Sequence, residues 1–492
     1  MKSSIRYTRS FHGAALLWIS VGSFLLAGGA ADGATTAAAY RQQAEANVST
    51  GQYAQAAQNF RSEAKIYRLH GDVNAAEAEE KKADRWTTLV EVYQSVPADR
   101  ETLSSLYTHA KFEPVYGCYL GGYAEADDRL EGISGSDGQP MSREEALGQK
   151  LDKHLASCFT YAHYGENFPL NWAKRLSEKG IAPHVALEPN DGLDKVNDDE
   201  YLRKFAQDAA SCAGPVFLRF AAEMNGDWTV YHTNPALYKT KFKLVHDVMA
   251  RLAPNVAMIW CVNNIPEYNI PDYYPGDDSV DWVGVNFYSV LHHDNNASKP
   301  ADFENPADML QYVYKLYADR KPIAICEYGA SHREKLNPDL DRSDAAATRF
   351  RQLFAALPRL FPRVKLMDIF DCDNLEHARP GRQLNDYSIT DSDSVLAAVK
   401  GAVAPDYFLS TVLDKEQTNL PAYVRKLEPG SSLSGTASLS ASIKTYDGNP
   451  TVIYRLDGKE AARLDRAGPY PLDLDTTHYS PGKHQLSVDV LD

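Results

Sequence analysis

Pro215-Val-Phe-Leu-Arg-Phe-Ala-Ala-Glu223-Met-Asn-Gly-Asp-Trp228 and Lys321-Pro-Ile-Ala-Ile-Cys-Glu327-Tyr-Gly-Ala330 are the two stretches of this chain that decide its fold. Their apolar runs, Val216–Phe220 and Ile323–Cys326, predict strands buried on both faces, as in a parallel sheet. Each run is followed by a glutamate. A carboxylate placed where such a strand ends lies at the C-terminal edge of the sheet, which is the functional face of a (β/α)₈ barrel. We therefore expect both glutamates at one rim.

The surrounding region, residues 112–402, alternates strand-like and helix-like segments. Eight apolar runs alternate with amphipathic stretches such as Asp199–Ala210, Leu237–Ala253 and Ser343–Leu357. This alternation predicts an α/β fold, a (β/α)₈ TIM barrel. A doubly wound open sheet fits less well, because no glycine-rich phosphate turn follows the first strand. The candidate strands are Val115–Leu120, Cys158–Ala162, Ala182–Leu187, Val216–Phe220, Val256–Cys261, Val280–Phe287, Ile323–Cys326 and Leu366–Phe370.

Residues 36–100 are rich in Ala, Gln and Glu at helical spacing. The phrase Gly51-x-Tyr53-x-x-Ala56-x-x-x-Phe60 resembles one half of a tetratricopeptide repeat, and a weaker copy begins at Gly71. Fewer than three such repeats are rarely stable alone. We favour a helical hairpin packed on the next domain. The alternative is a docking module for an envelope protein partner.

The end of the chain has a different texture. Residues 403–427 are expected to be a linker, and residues 428–492 carry short alternating runs with turns at Asp447-Gly448, Asp457-Gly458 and Pro481-Gly482. The spacing predicts a small C-terminal β-sandwich. Its Tyr454-Arg-Leu-Asp-Gly458 phrase resembles bacterial immunoglobulin-like domains.

Residues 1–30 predict a secretory signal peptide. Lys2, Arg6 and Arg9 form a positive n-region, Ala14–Leu26 is a short apolar h-region, and small residues around Ala30 offer a cleavage site. The apolar stretch is too short for a stable transmembrane helix. We therefore expect an exported protein, periplasmic or secreted, with no stable membrane span after signal cleavage.

Composition narrows the classes of partner and cofactor. The formal net charge is −15 and no basic patch is present, which argues against nucleic acid as a partner. The six cysteines do not form an obvious disulfide framework, although Cys158 and Cys212 could pair. No CxxC or His-rich cluster indicates a structural metal, and we expect no cofactor.

Two carboxyl groups at one barrel rim are the equipment for hydrolysis of a glycosidic bond. One protonates the leaving oxygen while the other acts at the anomeric carbon. The alternative is a structural ion pair of these glutamates with Arg219. That alternative would require Glu223 and Glu327 to meet at the same rim by chance.

The whole barrel region resembles glycoside hydrolase family 26, which is best known for β-mannanases. The Glu-Met-Asn-Gly phrase is fairly specific, and the ordered set of motifs is stronger than any single one. The motifs are Phe168-Pro-Leu-Asn-Trp172-Ala, Ala186-Leu-Glu188-Pro189, Phe217-Leu-Arg219-Phe-Ala-Ala-Glu223-Met-Asn225-Gly-Asp-Trp228, Tyr274-Pro-Gly-Asp277, Val280-Asp-Trp282-Val-Gly-Val-Asn286-Phe-Tyr288 and Glu327-Tyr-Gly329.

The resemblance implies a retaining enzyme with its acid/base after strand 4 and its nucleophile after strand 7, which gives these roles to Glu223 and Glu327. It also implies that Tyr288 holds the nucleophile by a hydrogen bond and that Trp228 lines the sugar site. Arg219 is expected to point inward and keep Glu327 ionised. Asn225 is a further supporting candidate, and the remaining substrate-binding candidates are His163, Tyr164, Glu188, Trp260, Asn286 and Tyr387.

Several of these residues have a second interpretation. Glu188 could be a third active-site carboxylate or could cap the following loop. His163 could line a subsite or act as a structural hydrogen-bond partner. Asn225 and Trp228 could serve only to shape the loop after strand 4.

Two positions depart from the family pattern. The family usually has His immediately before the acid/base, where this chain has Ala222. A family tryptophan expected near strand 8 is replaced by Phe370-Asp-Cys-Asp-Asn374, so Tyr387 or Phe370 would have to serve as the sugar platform. These differences place substrate preference in question, and mannan in particular.

The sequence as a whole predicts a retaining β-glycoside hydrolase that cleaves a β-linked polysaccharide by double displacement, with endo action. The candidate substrates are β-mannan, β-glucan and a bacterial exopolysaccharide. Two alternatives from other classes remain. One is a catalytically inactive glycan-binding barrel, motivated by Ala222, and the other is an exopolysaccharide-assembly scaffold led by the N-terminal helices.

Overall fold

The computed structural model describes residues 3–7, 30–50, 52–87, 89–135, 138–302, 304–413, 417–444, 450–465 and 468–491. The chain forms two compact units. One is residues 95–424, which contain both glutamates. The other combines residues 1–94 with residues 425–492.

A closed barrel of eight parallel strands is the centre of the unit 95–424. Each strand pairs with the next along the chain, and the last pairs with the first, Leu366 lying opposite Tyr119. This confirms the predicted (β/α)₈ barrel. The strands are β1 (Cys118–Ala126), β2 (Ser157–His163), β3 (Ala182–Glu188), β4 (Val216–Phe220), β5 (Val256–Asn263), β6 (Trp282–Ser289), β7 (Ile323–Ala330) and β8 (Val364–Cys372).

Helices follow most of these strands, and their starts are set by polar caps. Asp199, for example, accepts a hydrogen bond from the N–H of Leu202 at 3.0 Å, so the helix begins at the next residue, Glu200. The longer helices are Arg143–Lys150, Leu170–Glu178, Glu200–Ala210, Pro235–Leu252, Pro306–Tyr317, Ser343–Leu360 and Asp393–Val403, with short ones at Arg100–Leu103 and Asn374–His377.

Short 3₁₀ turns and two-residue strands complete the unit. The connection from β5 to β6, which is described throughout, contains only 3₁₀ turns, at Ile270–Tyr273 and Asp277–Ser279. Others are Ser104–Leu106, Asp128–Leu130, Leu193–Lys195 and His293–Asn295, and the short strands are Arg333–Glu334, Asn385–Asp386 and Phe408–Leu409.

Alternate residues of each strand fill the barrel interior. On β5, Ile259 and Cys261 pack inside with Phe217 and Cys326, whereas Trp260 lies in the layer between strands and helices. Because both faces of every strand are covered, the strands appear in the sequence as continuous apolar runs. All six cysteines are buried free thiols, so the possible pairing of Cys158 with Cys212 does not occur.

In its described residues, the second unit contains three helices and two sheets. The helices are Ala30–Ser49, Tyr53–Leu69 and Val73–Arg85. One sheet includes Leu89–Val96, Thr436–Lys444 and Tyr470–Asp475 in that order, and the other is ordered Ser432–Leu433, Ser3–Tyr7, Lys483–Leu491, Thr451–Leu456, Lys459–Asp465. A further strand is Tyr423–Lys426, and a 3₁₀ turn is Thr476–His478.

The structure differs from the predicted segment boundaries at two places. Residues 36–100 were expected to be helical, but Leu89–Val96 is a strand paired with Thr436–Lys444, because Val90 and Val92 alternate with more exposed residues. Part of the predicted linker 403–427 is also a strand, since Phe408–Leu409 pairs with β1. The tetratricopeptide-like and immunoglobulin-like identities stay predictions.

The predicted signal peptide lies largely outside the described residues. Ser3–Tyr7 forms a strand beside Lys483–Leu491, while residues 1–2 and 8–29 are not described. Export therefore also stays a prediction. Among the described helices, none combines the length and the apolar composition that crossing a bilayer requires.

Gly121 of β1 is required by a buried pair inside the barrel. His184 Nδ1 and Asp368 Oδ2 are 2.8 Å apart, and neither side chain is exposed. A Cβ on Gly121 would lie 1.9 Å from Asp368 Oδ1 and 2.8 Å from the Ser157 carbonyl oxygen. Gly121→Ala should therefore lower the free energy of unfolding by about 2–3 kcal/mol through overpacking, measured by urea denaturation.

Gly401→Ala is the matched control. This glycine lies within the helix Asp393–Val403, and an added Cβ would meet nothing within 4 Å. Helix propensity should make the change neutral or stabilising by up to about 1 kcal/mol. Equal effects of the two substitutions would contradict the close contact at Gly121.

Candidate active site

Glu223 is presented by a strained turn at the end of β4. Ala221 has a φ of 49° and Glu223 a φ of 59°, both in the left-handed region. Such a conformation costs a non-glycine residue about 1–3 kcal/mol. Backbone bonds hold the turn: the Ala221 N–H donates to the Leu187 carbonyl and the Glu223 N–H to the Cys261 carbonyl, each at 3.0 Å. The strain is therefore supported by β3 and β5.

Three side-chain donors surround the Glu223 carboxyl group. Trp228 Nε1 donates to Oε2 at 2.6 Å, while the amides of Asn263 and Asn286 donate to Oε1 at 3.1 and 3.0 Å. Burial, together with the negative charge of Glu327, raises the pKa of Glu223. The three donors act in the opposite direction and limit that rise.

Trp228 and Asn225 have different roles in the loop after β4. The indole of Trp228 lies against Gly226, where an added Cβ would be 2.3 Å from the ring. Asn225 is buried and does not touch either glutamate. Its amide nitrogen donates to the Asn263 and Pro266 carbonyls at 2.9 and 3.1 Å, and its Oδ1 accepts from the Asn263 N–H at 2.9 Å. Asn225 thus ties this loop to the loop after β5.

Glu327 of β7 has a guanidinium and two hydroxyl groups around its carboxyl group, unlike Glu223. Its Oε1 accepts from the Tyr161 hydroxyl at 2.7 Å and lies 2.7 Å from Arg219 Nη2, and its Oε2 accepts from the Tyr288 hydroxyl. Two hydroxyl donors and a guanidinium therefore surround its oxygens. The contact with Tyr288 that the sequence predicts is therefore present.

Arg219 is fully buried, and aromatic rings surround it. Its guanidinium carbon lies 5.1 Å from the centre of the Phe159 ring and 5.7 Å from that of Tyr161. Arg219 Nη1 donates to Asn286 Oδ1 at 3.2 Å. Since the same amide donates to Glu223, Asn286 links the two glutamates through Arg219. Arg219 thus lies inside the barrel beside Glu327.

Glu188 ends β3 and contacts the turn that carries Glu223. The Tyr231 hydroxyl lies within hydrogen-bond distance of Glu188 Oε2 and, at 2.8 Å, of the Ala222 carbonyl oxygen. Burial raises the pKa of Glu188 to about 7, and the hydrogen bond from Tyr231 and the charge of Arg219 oppose the rise. Glu188 is therefore a third carboxyl group beside the pair.

Three further predicted residues, His163, Tyr164 and Trp260, make contacts with residues other than the two glutamates. His163 is exposed, and its Nδ1 is 2.7 Å from Asn190 Nδ2. The Tyr164 ring packs on Tyr201, with centroids 4.8 Å apart. Trp260 is completely buried against Tyr274 and Tyr317, outside the barrel strands. The structure does not bring Trp260 into the cleft, which corrects its inclusion among the sugar-binding candidates.

Tyr387 and Phe370 lie behind Tyr288 rather than open to the cleft. Tyr387 is 5.0 Å and Phe370 5.5 Å from the Tyr288 ring, centre to centre, and Tyr123 stacks on Phe370 at 5.2 Å. Both are more than 90% buried. Their packing orients the Tyr288 hydroxyl towards Glu327 instead of offering a flat sugar platform.

Three residues that contact the carboxyl groups of this site were not identified from the sequence. Tyr161 donates to Glu327 and keeps 41% of its surface exposed, Asn263 donates to Glu223, and Tyr231 contacts Glu188. A signal existed for the first two, because both stand near the ends of predicted strands. Tyr231 follows in a loop, where no periodicity identifies it.

One group of side chains in the described part of the chain has the spacing of metal ligands. The ligand atoms of His332, Asp386 and Asp391 all lie within 4.8 Å of one another. Arg333 Nη1 is 2.5 Å from Asp391 Oδ2, and Arg129 pairs with Asp391 Oδ1. The two arginines thus already pair with one of the two carboxylates of this group.

The geometry combines an ionised carboxylate with a carboxyl group that tends to keep its proton. Glu327 has the donors of an anion, whereas burial and a neighbouring negative charge favour the acid form of Glu223. Two carboxyl groups in such unlike environments can divide acid and base work between them.

Comparison with known proteins finds a family similarity in part of this barrel. Residues 189–324 match the sequence model of glycosyl hydrolase family 26. Over this segment the barrel is similar to that family. That segment includes Glu188's neighbour Pro189, Glu223 and Asn286, and it ends three residues before Glu327. The match confirms the family resemblance.

Curated relatives match over shorter parts of their length. A β-1,3-xylanase of Alcaligenes sp is 34% identical over 113 residues, which is 21% of this chain and 24% of that protein. The β-1,3-xylanase TXYA of Vibrio sp is 34% identical over 80 residues, 15% and 17% respectively. Endoglucanase H of Acetivibrio thermocellus is 26% identical over 217 residues, 41% and 23%. The aligned part spans less than a quarter of each relative.

Among solved structures, a GH26 β-mannanase from Bacteroides ovatus has 14% identity and a TM-score of 0.43, covering 65% of this chain and 99% of that one. The GH26C structure from a Muricauda species has 15% identity and a TM-score of 0.44, covering 65% and 92%.

The buried Arg219–Glu327 pair makes a prediction for stability. Arg219→Met should lower the free energy of unfolding by about 3–5 kcal/mol at neutral pH, because it leaves the Glu327 charge buried without its partner. The double variant Arg219→Met, Glu327→Gln should recover much of that loss, measured by urea denaturation in a double-mutant cycle.

Arg203→Met is the matched control for this cycle. Arg203 Nε is 2.7 Å from Asp198 Oδ1 on the surface, where an ion pair contributes about 0–1 kcal/mol. If Arg219→Met lowered the free energy of unfolding no more than Arg203→Met does, an essential Arg219–Glu327 charge pair would be ruled out.

Proposed function

We propose that the barrel is a retaining β-glycoside hydrolase that cleaves inside a β-linked polysaccharide. The observation that carries the proposal is the unlike treatment of two carboxyl groups at one rim. Arg219 and two tyrosine hydroxyls hold Glu327 as an anion, while burial and that anion raise the pKa of Glu223. The match of residues 189–324 to glycosyl hydrolase family 26 supports the same class of enzyme.

In the first step Glu327 attacks the anomeric carbon and the bond to the leaving oxygen breaks. Glu223 gives its proton to that oxygen, so the leaving sugar departs as a neutral alcohol. The ester formed on Glu327 removes its charge, which lowers the pKa of Glu223. In the second step Glu223 takes a proton from water, and the resulting hydroxide displaces Glu327 from the anomeric carbon.

The surrounding groups fit those charge changes. Tyr161, Tyr288 and Arg219 contact the oxygens of Glu327 and can stabilise the carboxylate when it leaves in the second step. Asn286 joins this set to Glu223, so both carboxyl groups are fixed relative to the same amide. Preorganised donors of this kind need no rearrangement during reaction.

The polymer we propose is a β-mannan, a β-glucan, a β-1,3-xylan or a bacterial exopolysaccharide. The curated relatives, named as β-1,3-xylanases and an endoglucanase, support the β-linked class and endo action. At the position of the family histidine, the side chain of Ala222 is buried and cannot hydrogen-bond a sugar. This loss argues for a substrate other than the usual mannan.

Product release tests the proposed activity. The wild type should release reducing ends from one member of a panel of β-mannan, mixed-linkage β-glucan, β-1,3-xylan, β-1,4-xylan and bacterial exopolysaccharides, and Glu327→Ala should release none. Tyr238→Phe, which removes a buried hydroxyl 3.4 Å from the Phe220 carbonyl, is the folded control. Glycan binding without turnover by the wild type would instead establish the inactive glycan-binding barrel.

The stereochemistry of the first product tests the double displacement. Proton NMR during hydrolysis should show the β anomer first, because two inversions restore the starting configuration. Glu223→Gln should slow hydrolysis of the polymer by about 10²–10⁴-fold. An α anomer as the initial product would mean that water attacks directly, and Glu327 would then not be the nucleophile.

A further inference from the structure

A tyrosine between two acceptors raises a question about one proton. The Tyr231 hydroxyl lies 2.8 Å from the carbonyl oxygen of Ala222 and within hydrogen-bond distance of Glu188 Oε2. It has a single hydrogen to donate. A carbonyl oxygen cannot donate, so both contacts are full two-centre hydrogen bonds only if Glu188 supplies the second proton.

We propose that Glu188 is a protonated positioning residue that, through Tyr231, holds the turn carrying the proposed acid/base Glu223. With its proton in place, Glu188 donates to the Tyr231 oxygen and Tyr231 donates to the Ala222 carbonyl. When Glu188 ionises, its carboxylate accepts the hydrogen bond from the Tyr231 hydroxyl, and the Ala222 carbonyl loses its donor. The inference deepens the proposed function, on which its activity readout rests.

The Ala222 carbonyl is a sensitive place for such a bond. It lies between two residues with positive φ, Ala221 and Glu223, whose backbone conformations are unfavourable without support. The flanking N–H groups are bound by Leu187 and Cys261. The bond from Tyr231 fixes the peptide between them and hence the direction in which the Glu223 side chain leaves the turn.

The surroundings of Glu188 favour the acid form over the carboxylate. Arg219 faces it from β4, but that guanidinium is already 2.7 Å from Glu327. Glu223 and Glu327 contribute negative charge that raises the pKa of Glu188 further, after burial as the main cause. His163, opposite Glu188 in the pairing of β2 with β3, contacts Asn190 through Nδ1. The pKa of Glu188 reaches about 7.

The activity test uses three variants. Glu188→Gln keeps a donor for the Tyr231 oxygen, so its kcat at pH 6 should stay near that of the wild type. Glu188→Ala and Tyr231→Phe lose the relay, and their kcat should fall by about 10–100-fold with little change in KM, because Glu223 is misplaced. Tyr238→Phe controls for the loss of a buried hydroxyl near β4.

The pH profile distinguishes a protonated Glu188 that positions the turn from a Glu188 that only packs. As the pH rises through about 7, the wild type should lose kcat/KM relative to Glu188→Gln, since only the wild type can ionise at this position. A glutamine variant as impaired as the alanine variant would overturn the proposal, because it would show that the carboxylate itself is required. A ratio of kcat/KM between the wild type and Glu188→Gln that stays constant with pH would also overturn the proposal.

A stability measurement tests whether Glu188 is protonated and requires no enzymatic activity. Folding raises the pKa of Glu188 from its ordinary value of 4.5 to about 7. Such a group lowers the free energy of unfolding as the pH rises from 4.5 to about 7. Glu188→Gln does not lose stability in this way. Its urea midpoint should therefore rise relative to that of the wild type between pH 4.5 and about 7, and the difference should stay constant at higher pH. If every polymer resists hydrolysis, the proposed function fails, and this difference still shows whether Glu188 holds a proton.

Discussion

The contact between Arg219 and Glu327 is the interaction on which the rest of the site depends. A guanidinium without solvent exposure and a nearly buried carboxylate are each costly to remove from water, and their attraction offsets that cost only when further donors satisfy the remaining lone pairs. Tyr161 and Tyr288 supply those donors, and Phe159 covers the face of the guanidinium. The charge on Glu327 in turn acts on Glu223, so the two glutamates cannot be understood separately.

The positions of Glu223 and Glu327 could be predicted because a buried parallel strand has a simple sequence signature and a fixed functional end. Val216–Phe220 was predicted with its observed limits, and Arg219, the charged residue inside it, was expected to point inward and lies inside the barrel. Trp260 shows where this reasoning stops. The choice of face within a strand buried on both sides depends on register, and a continuous apolar run gives no alternation to fix it.

The contacts made by loops were harder to predict than those made by strands. Tyr231 reaches Glu188 from a loop whose course depends on packing rather than on periodicity. Leu89–Val96 was assigned to a helical segment because its partner, Thr436–Lys444, is far away in the sequence. Its alternation of buried and exposed residues became informative only once that partner was known. Local sequence thus specified the elements of the barrel well, whereas long-range pairing specified the second unit.

That long-range pairing has a consequence for how the chain matures. The unit formed by residues 1–94 and 425–492 is interrupted by the entire barrel, so the backbone of Leu89–Val96 cannot meet that of Thr436–Lys444 until the last part of the chain has been synthesised. The barrel can close first, because β1 and β8 both lie within residues 95–424. Until the C-terminal residues emerge from the ribosome, the early strand keeps an open edge that other chains could occupy. Pairing with Thr436–Lys444, rather than closure of the barrel, therefore covers this edge of the early strand.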